Sequence, residues 1–164
     1  MHLIHNTLDQ ELFCKIKNTI MSNDFPWYLA PKTNDSDHDK EDYRNNQLIH
    51  CFYDNGMPFS PHIAILEPLF KKLKTKALVR VKANLLPRTD KKVVFNMHTD
   101  NDFDCSTAIY YINTNNGETI FENNKKVKSE ENKTVIFPSQ LRHAGTTNTC
   151  KNANRVVLNI NYLS

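Results

Sequence analysis

The stretch "NRVVLNINYL", residues 154–163, constrains this chain more than any other. Its apolar groups recur at every second residue, which is the period of a β-strand and not of a helix. Val156, Leu158, Ile160 and Tyr162 share one face, while Arg155, Val157, Asn159 and Asn161 share the other. The first set is the core face of an ordinary strand. The second puts a guanidinium and two carboxamides opposite it. Two architectures accommodate this: an edge strand with its arginine in solvent, or the wall of a barrel with a polar lumen. In a lumen the guanidinium needs a partner, because an unpaired buried charge is costly.

The second half of the chain reads in the same way. "ALVRVKANLL" sets Val79, Val81, Ala83 and Leu85 against Arg80, Lys82 and Asn84. Further short strands are expected at 92–98, 106–113, 118–122 and 133–137, with "NTNNGET" supplying an Asn-Gly turn between two of them. The first half differs. Residues 7–22 read as a helix with Thr7 as its cap and Leu8, Leu12, Ile16 and Ile20 as one apolar stripe. Residues 46–55 read as a strand. Residues 60–74 read as a helix capped by Ser60, opened by Pro61 and kinked or broken at Pro68. Residues 32–46 are charged and nearly free of large apolar groups, so they are expected to form a loop and are a candidate lid. Helices followed by six or more strands predict an α+β domain built on an antiparallel sandwich or barrel. With 164 residues, one domain with a packed core is expected, divided into a helical and loop part at 1–76 and a β core at 77–164.

Composition removes several classes of function. The 21 basic and 18 acidic residues leave a formal charge of +3, too mild a balance to mark a nucleic-acid binder. Arg80, Lys82, Arg88, Lys91 and Lys92 keep nucleic acid open, yet they lack the interleaved aromatics of single-strand binders. No apolar run approaches the roughly 20 residues of a membrane span. The N-terminus does not read as a secretory leader. Cys14, Cys51, Cys105 and Cys150 are far apart and form no CxxC pair, so they read as reduced thiols of a cytoplasmic protein.

Chemistry concentrates in "NMHTDND", residues 96–102. His98 and Asp100 lie two apart and share a face if the strand runs through them; Asn96 is then expected beside them and Thr99 turned away. His143 follows 43 residues beyond Asp100, after the apolar "KTVIFPSQLR". Two histidines and a carboxylate from different strands can form a facial triad that holds Fe(II) and leaves three positions open. In a chain with seven histidines, an H-x-D pair also arises by chance. Two neighbours bear on the choice. Arg155, twelve residues after His143, could pair bidentately with a dicarboxylate. Tyr111, in "STAIYYINTNNGETIF" and on the face of Thr107 and Ile109, carries a hydroxyl that needs a partner if buried.

Taken together, "HTD", "AIYYIN", "NGETIF", "TVIFPSQLRHAG" and "NRVVLNINY" resemble the core of the Fe(II)- and 2-oxoglutarate-dependent dioxygenases, nearest the prolyl 4-hydroxylase-like branch. The motifs keep family order over residues 80–163, about half the chain. The resemblance implies a double-stranded β-helix (jelly-roll, cupin-like) with N-terminal helices packed on it. It implies His98, Asp100 and His143 as iron ligands, Arg155 at the far carboxylate of 2-oxoglutarate, and Tyr111 assisting that carboxylate. Asn84 and Thr107 become candidates for the cosubstrate pocket, and ascorbate a candidate reductant. The implied reaction couples dioxygen and 2-oxoglutarate to hydroxylation of a prime substrate, foremost a protein or peptide residue such as proline, with succinate and CO2 released. A nucleic-acid base or small molecule is the alternative substrate. A catalytically silent metal-binding barrel or scaffold is the alternative of another class. Outside the core, Trp27 and Tyr28 are candidates for stacking on a substrate or for packing on the core, and His38 and His50 read as surface or structural residues.

Overall fold

The computed structural model describes residues 1–30, 46–151 and 153–164. Strand β1 (His2–Ile4) leads into helix α1 (Gln10–Ile20), β2 (Tyr28–Ala30), β3 (Gln47–Asp54) and β4 (Met57–Pro58). A 3-10 segment (Pro61–Leu66) and helix α2 (Glu67–Lys72) follow, then β5 (Ala77–Leu86) and β6 (Ser106–Tyr111). The chain continues through β7 (Glu118–Phe121), β8 (Lys126–Lys128), β9 (Lys133–Pro138), β10 (His143–Gly145) and β11 (Arg155–Leu163). The loop expected at 32–46, with its lid and His38, lies outside the described residues except for Asn46.

Eight strands form one antiparallel sheet in the order β1-β9-β6-β11-β5-β3-β2, with β4 paired to β3. Three form a second sheet in the order β10-β7-β8. Together they make a double-stranded β-helix. β11 lies at the centre of the large sheet, between β5 and β6, so its two faces meet different surroundings. Val156, Leu158, Ile160 and Tyr162 join Phe13, Ile16 and Ile20 of α1 and Leu66 and Leu69 of the following helical segments in the main core. Val157 packs with Ile109, Phe121, Val127, Val135 and Phe137 in a smaller core between the sheets. Of the two architectures open to "NRVVLNINYL", the structure adopts the barrel wall: Arg155, Asn159 and Asn161 are all buried.

Local signals are met with some corrections. Asp9, not Thr7, caps α1, accepting from the Leu12 N–H at 2.9 Å. The Thr7 hydroxyl is instead engaged with Thr134 at 2.8 Å, tying the approach to α1 onto β9. Ser60 caps the 3-10 segment, accepting from the His62 N–H. Pro68 does break the expected helix: it falls in the first turn of α2, where its missing N–H costs nothing. The strand expected at 92–98 is reduced to isolated bridges, Val94 to Thr146 and His98 to His143. The Asn116-Gly117 step makes no hairpin, because β6 and β7 belong to different sheets and the chain crosses between them there. The Asn-Gly hairpin is Asn55-Gly56, joining β3 to β4 with φ of 49° and 78°, both in the left-handed region that a type I′ turn requires.

Candidate metal centre and its cavity

His98, Asp100 and His143 converge at one end of a cavity of about 840 Å³, their ligand atoms all within 4.8 Å of one another. The backbone sets the two histidines opposite each other: His98 N–H donates to the His143 carbonyl and His143 N–H to the His98 carbonyl, each at 2.9 Å. Their rings lie 4.6 Å apart between centroids. Each ring also has its tautomer decided by a carbonyl, which can only accept. His98 Nδ1 lies 3.3 Å from the Asn96 carbonyl and His143 Nδ1 lies 3.0 Å from the Leu141 carbonyl. Both Nδ1 atoms therefore carry the proton, leaving the Nε2 lone pairs free. Those Nε2 atoms are 3.9 and 3.8 Å from Asp100 Oδ1 and Oδ2.

Asp100 is fixed by the large sheet. Its Oδ2 accepts from Thr107 at 2.9 Å, Asn159 at 3.1 Å and Asn161 at 3.2 Å, and its Oδ1 lies 3.4 Å from Arg80 Nη2. Burial would raise its carboxyl pKa, but the charges of His143, Arg80 and His98 outweigh it and hold the group below its ordinary value. Burial, joined by the charge of His143, lowers the pKa of His98 below its ordinary 6.5 and keeps that ring a neutral ligand. Two imidazole nitrogens and an ionised carboxylate are the donor set that suits Fe(II). The buried, unpartnered Oδ1 atoms of Asn84 and Asn159, both of which line the cavity, add acceptors suited to a hydrated cation. The residues present fit such a group.

Arg155 lies on the same cavity, 2% exposed. Its Nε donates to the Ser129 hydroxyl at 2.9 Å and its Nη2 to the Thr119 hydroxyl at 3.0 Å. No carboxylate forms an ion pair with it among the described residues. Gly117 makes the space: a Cβ there would stand 2.5 Å from Arg155 Cδ.

The other expected residues are placed as follows. Asn84 lines the cavity. Thr107 does not line it and instead holds Asp100 from behind. Tyr111 is fully buried off the cavity wall; its hydroxyl donates to Thr119 at 2.8 Å and its ring lies 5.8 Å from the Arg155 guanidinium, so it reaches the cavity through both residues. Burial raises its pKa, opposed by the Arg155 charge. Thr99 lines the cavity and Asn96 is exposed, the reverse of the alternation expected there, because residues 93–100 are not a regular strand. Trp27 packs on Phe25 and Tyr28 is mostly exposed; neither lines the cavity. His50 is structural, bonded to the Pro26 carbonyl at 2.7 Å and Ser60 at 2.8 Å. Reading by motif gave no site role to Thr119, Ser129 or Gly117, although Gly117 and Thr119 lie within "NGETIF". It set Arg80 and Lys82 on the face of Asn84 but weighed them only as basic residues that keep nucleic acid open, not as part of the site.

Solved structures of this architecture match nearly the whole chain. A prolyl hydroxylase from Trichoplax adhaerens, in complex with a hypoxia inducible factor oxygen degradation domain peptide fragment, superposes with a TM-score of 0.67 at 13% identity, covering 98% of this chain and 82% of that one. An oxidoreductase of the 2OG-Fe(II) oxygenase family from Burkholderia pseudomallei gives 0.67 at 13%, covering 98% and 84%. A prolyl-4-hydroxylase from Pseudomonas putida gives 0.60 at 12%, covering 99% and 92%. The fold is that of the prolyl hydroxylases and 2OG-Fe(II) oxygenases. No family model matches the sequence, and no curated protein does.

Proposed function

We propose that this chain is an Fe(II)- and 2-oxoglutarate-dependent dioxygenase that hydroxylates a protein or peptide residue such as proline, releasing succinate and CO2. One observation carries the reading. Arg155 is a buried guanidinium that meets hydroxyls and the Tyr111 ring but no carboxylate among the described residues, on the same cavity as a histidine–aspartate–histidine cluster. A fixed cation without a counter-ion is a receptor for an anion, and a dicarboxylate reaching from the cluster would complete it. The peptide bound to the Trichoplax prolyl hydroxylase supports a peptide-like substrate.

Each residue then has a task. His98, Asp100 and His143 would hold Fe(II), which supplies dioxygen activation coupled to decarboxylation of 2-oxoglutarate when bound. Thr107, Asn159 and Asn161 keep the Asp100 carboxylate ionised and in one rotamer. Arg155 receives the far carboxylate of the cosubstrate, with Ser129 and Thr119 fixing its fork and Tyr111 fixing Thr119. Leu86, Phe95, Ile109 and Val157 wall that end with apolar surface, which excludes water and strengthens the ion pair.

The direct test is turnover. Purified protein with Fe(II), ascorbate and 2-oxoglutarate is expected to release succinate slowly without a prime substrate, and a His143→Ala variant is expected not to. Equal succinate from the two would count against the proposal.

A further inference from the structure

The cavity is charged unevenly. Among the described residues, Arg80, Lys82, Arg142 and Arg155 line it against a single carboxylate, Asp100. On the dioxygenase reading, a divalent metal, a dianionic cosubstrate, Asp100 and Arg155 cancel one another. Arg80, Lys82 and Arg142 are left over. Arg80 reaches only Asp100, already shared with two histidines and two amides, and its Nε is buried without a partner. Lys82 has no hydrogen bond or ion pair among the described residues; at longer range it feels the charges of Arg80, Asp100, Cys51 and Asp54 and acts on His98. Arg142 donates one N–H to the Met97 carbonyl at 3.4 Å. Arg142 is exposed, whereas Arg80 and Lys82 are half-buried, and half-buried cations attract an anion more strongly than the same groups in water.

Their placement says which anion. Lys82 pairs in register with Asn159, whose amide holds Asp100; Arg80 touches Asp100; Arg142 precedes His143. All three therefore surround the metal end. Arg155 pairs with Leu86, six residues along β5 from Arg80 and four from Lys82, roughly 20 and 13 Å of strand. The leftover cations are thus not a second grip on the far carboxylate of the cosubstrate.

We propose that the prime substrate is an acidic peptide, with a carboxylate beside the residue that is oxidised, held by Arg80, Lys82 and Arg142. The inference rests on the dioxygenase reading and names its substrate class. A peptide suits the site better than a nucleic acid does. Phosphate-backbone binding draws on cations spread along a surface, about 6–10 contacts. Here Lys17, Lys71 and Lys92 are each paired with a glutamate, and the leftover cations that line the cavity converge on one point at Asp100 instead of following a track. Among the described residues the cavity wall also offers no exposed aromatic face on which bases could stack: the one aromatic there apart from the histidines, Phe95, is buried.

The test uses the whole protein. Metal-dependent binding of 2-oxoglutarate is measured first, with Mn(II) so that nothing turns over. A pool of proline-centred peptides with randomised flanks is then captured by the protein, with and without Mn(II) and 2-oxoglutarate. The retained peptides are read for charge, and an Asp-flanked peptide, its Asn-flanked isostere and a single-stranded oligonucleotide are titrated. The acidic peptide is expected to bind about tenfold more tightly than its isostere, with most of that advantage lost in Lys82→Met and Arg142→Gln and at about 0.5 M salt. The 2-oxoglutarate affinity of Lys82→Met is expected to be unchanged. The proposal is overturned by equal binding of the two peptides, by retention of neutral or basic peptides or of none, by preference for the oligonucleotide, or by a Lys82→Met loss that falls on 2-oxoglutarate. Absence of 2-oxoglutarate binding with acidic preference intact would instead sink the dioxygenase reading and leave the anion pocket standing.

Discussion

At the scale of single residues, the anchor end of the cavity is a steric and electrostatic unit. Removing the guanidinium in Arg155→Ala leaves a bound dicarboxylate with no counter-ion in a walled-off pocket. We expect a loss on the order of 3 kcal/mol in 2-oxoglutarate affinity, with Mn(II) affinity nearly unchanged. Calorimetric titration of the two ligands separates these, and equal losses would remove Arg155 from the role. Gly117→Ala tests the same end from the other side. Its Cβ collides with Arg155 Cδ, so the guanidinium must shift away from Ser129 and Thr119. The expected result is a weaker cosubstrate, by about tenfold, in a protein whose metal affinity is retained. His98, Asp100, His143 and Arg155 were legible in the sequence because each stands in a motif or on an alternating face. Gly117, Ser129 and Thr119 were not, since the first two lie outside any regular element and all three act only through contact with a residue far along the chain.

At the scale of elements, alternation predicted β5, β6, β9 and β11 closely, because both faces of those strands are specified by neighbours. It failed at 92–98, where the chain follows β10 through single bridges rather than a ladder. There, side-chain direction is decided by the backbone bonds of His98, Phe95 and Asp100 to His143, Gly145 and Ser139, which have no sequence period. β3 illustrates a different bond between elements. His50 must be protonated on Nδ1 to donate to the Pro26 carbonyl, so its Nε2 accepts from the Ser60 hydroxyl, and Ser60 in turn caps the 3-10 segment. Burial lowers the pKa of His50 below its ordinary 6.5. A lowered histidine stabilises the fold above the unfolded value, and that contribution is lost as pH falls through 6.5 toward the folded value. Thermal melts are therefore expected to drop below pH 6.5, and His50→Gln is expected to melt a few degrees lower at pH 7.5 with a shallower acid slope. An unchanged slope would exclude His50 as a source of the acid sensitivity; His98, and at lower pH Asp100, are also lowered and contribute in the same direction.

At the scale of the whole molecule, the helices cover one face of the large sheet and the small sheet covers the other, so the cavity is a gap left in an otherwise packed interior. Ligands that enter it bind only the folded state. Metal and 2-oxoglutarate together at about a hundred times their dissociation constants should stabilise the chain by about 2.7 kcal/mol or more, a rise of roughly 5–10 °C in melting temperature. A chelator should reverse it, and a His143→Ala protein should show none of it. The arrangement of the cluster has a mechanical consequence as well. His143 belongs to the small sheet and His98 is bonded to it, whereas the Asp100 carboxylate is held by β5, β6 and β11 of the large sheet. A cation gripped by all three works as a clasp between the sheets at the open end, while apolar packing joins them at the other. Amide hydrogen exchange should then slow along β10 and the segment beside it when the clasp is shut, and the jaws of the barrel should breathe when it is removed.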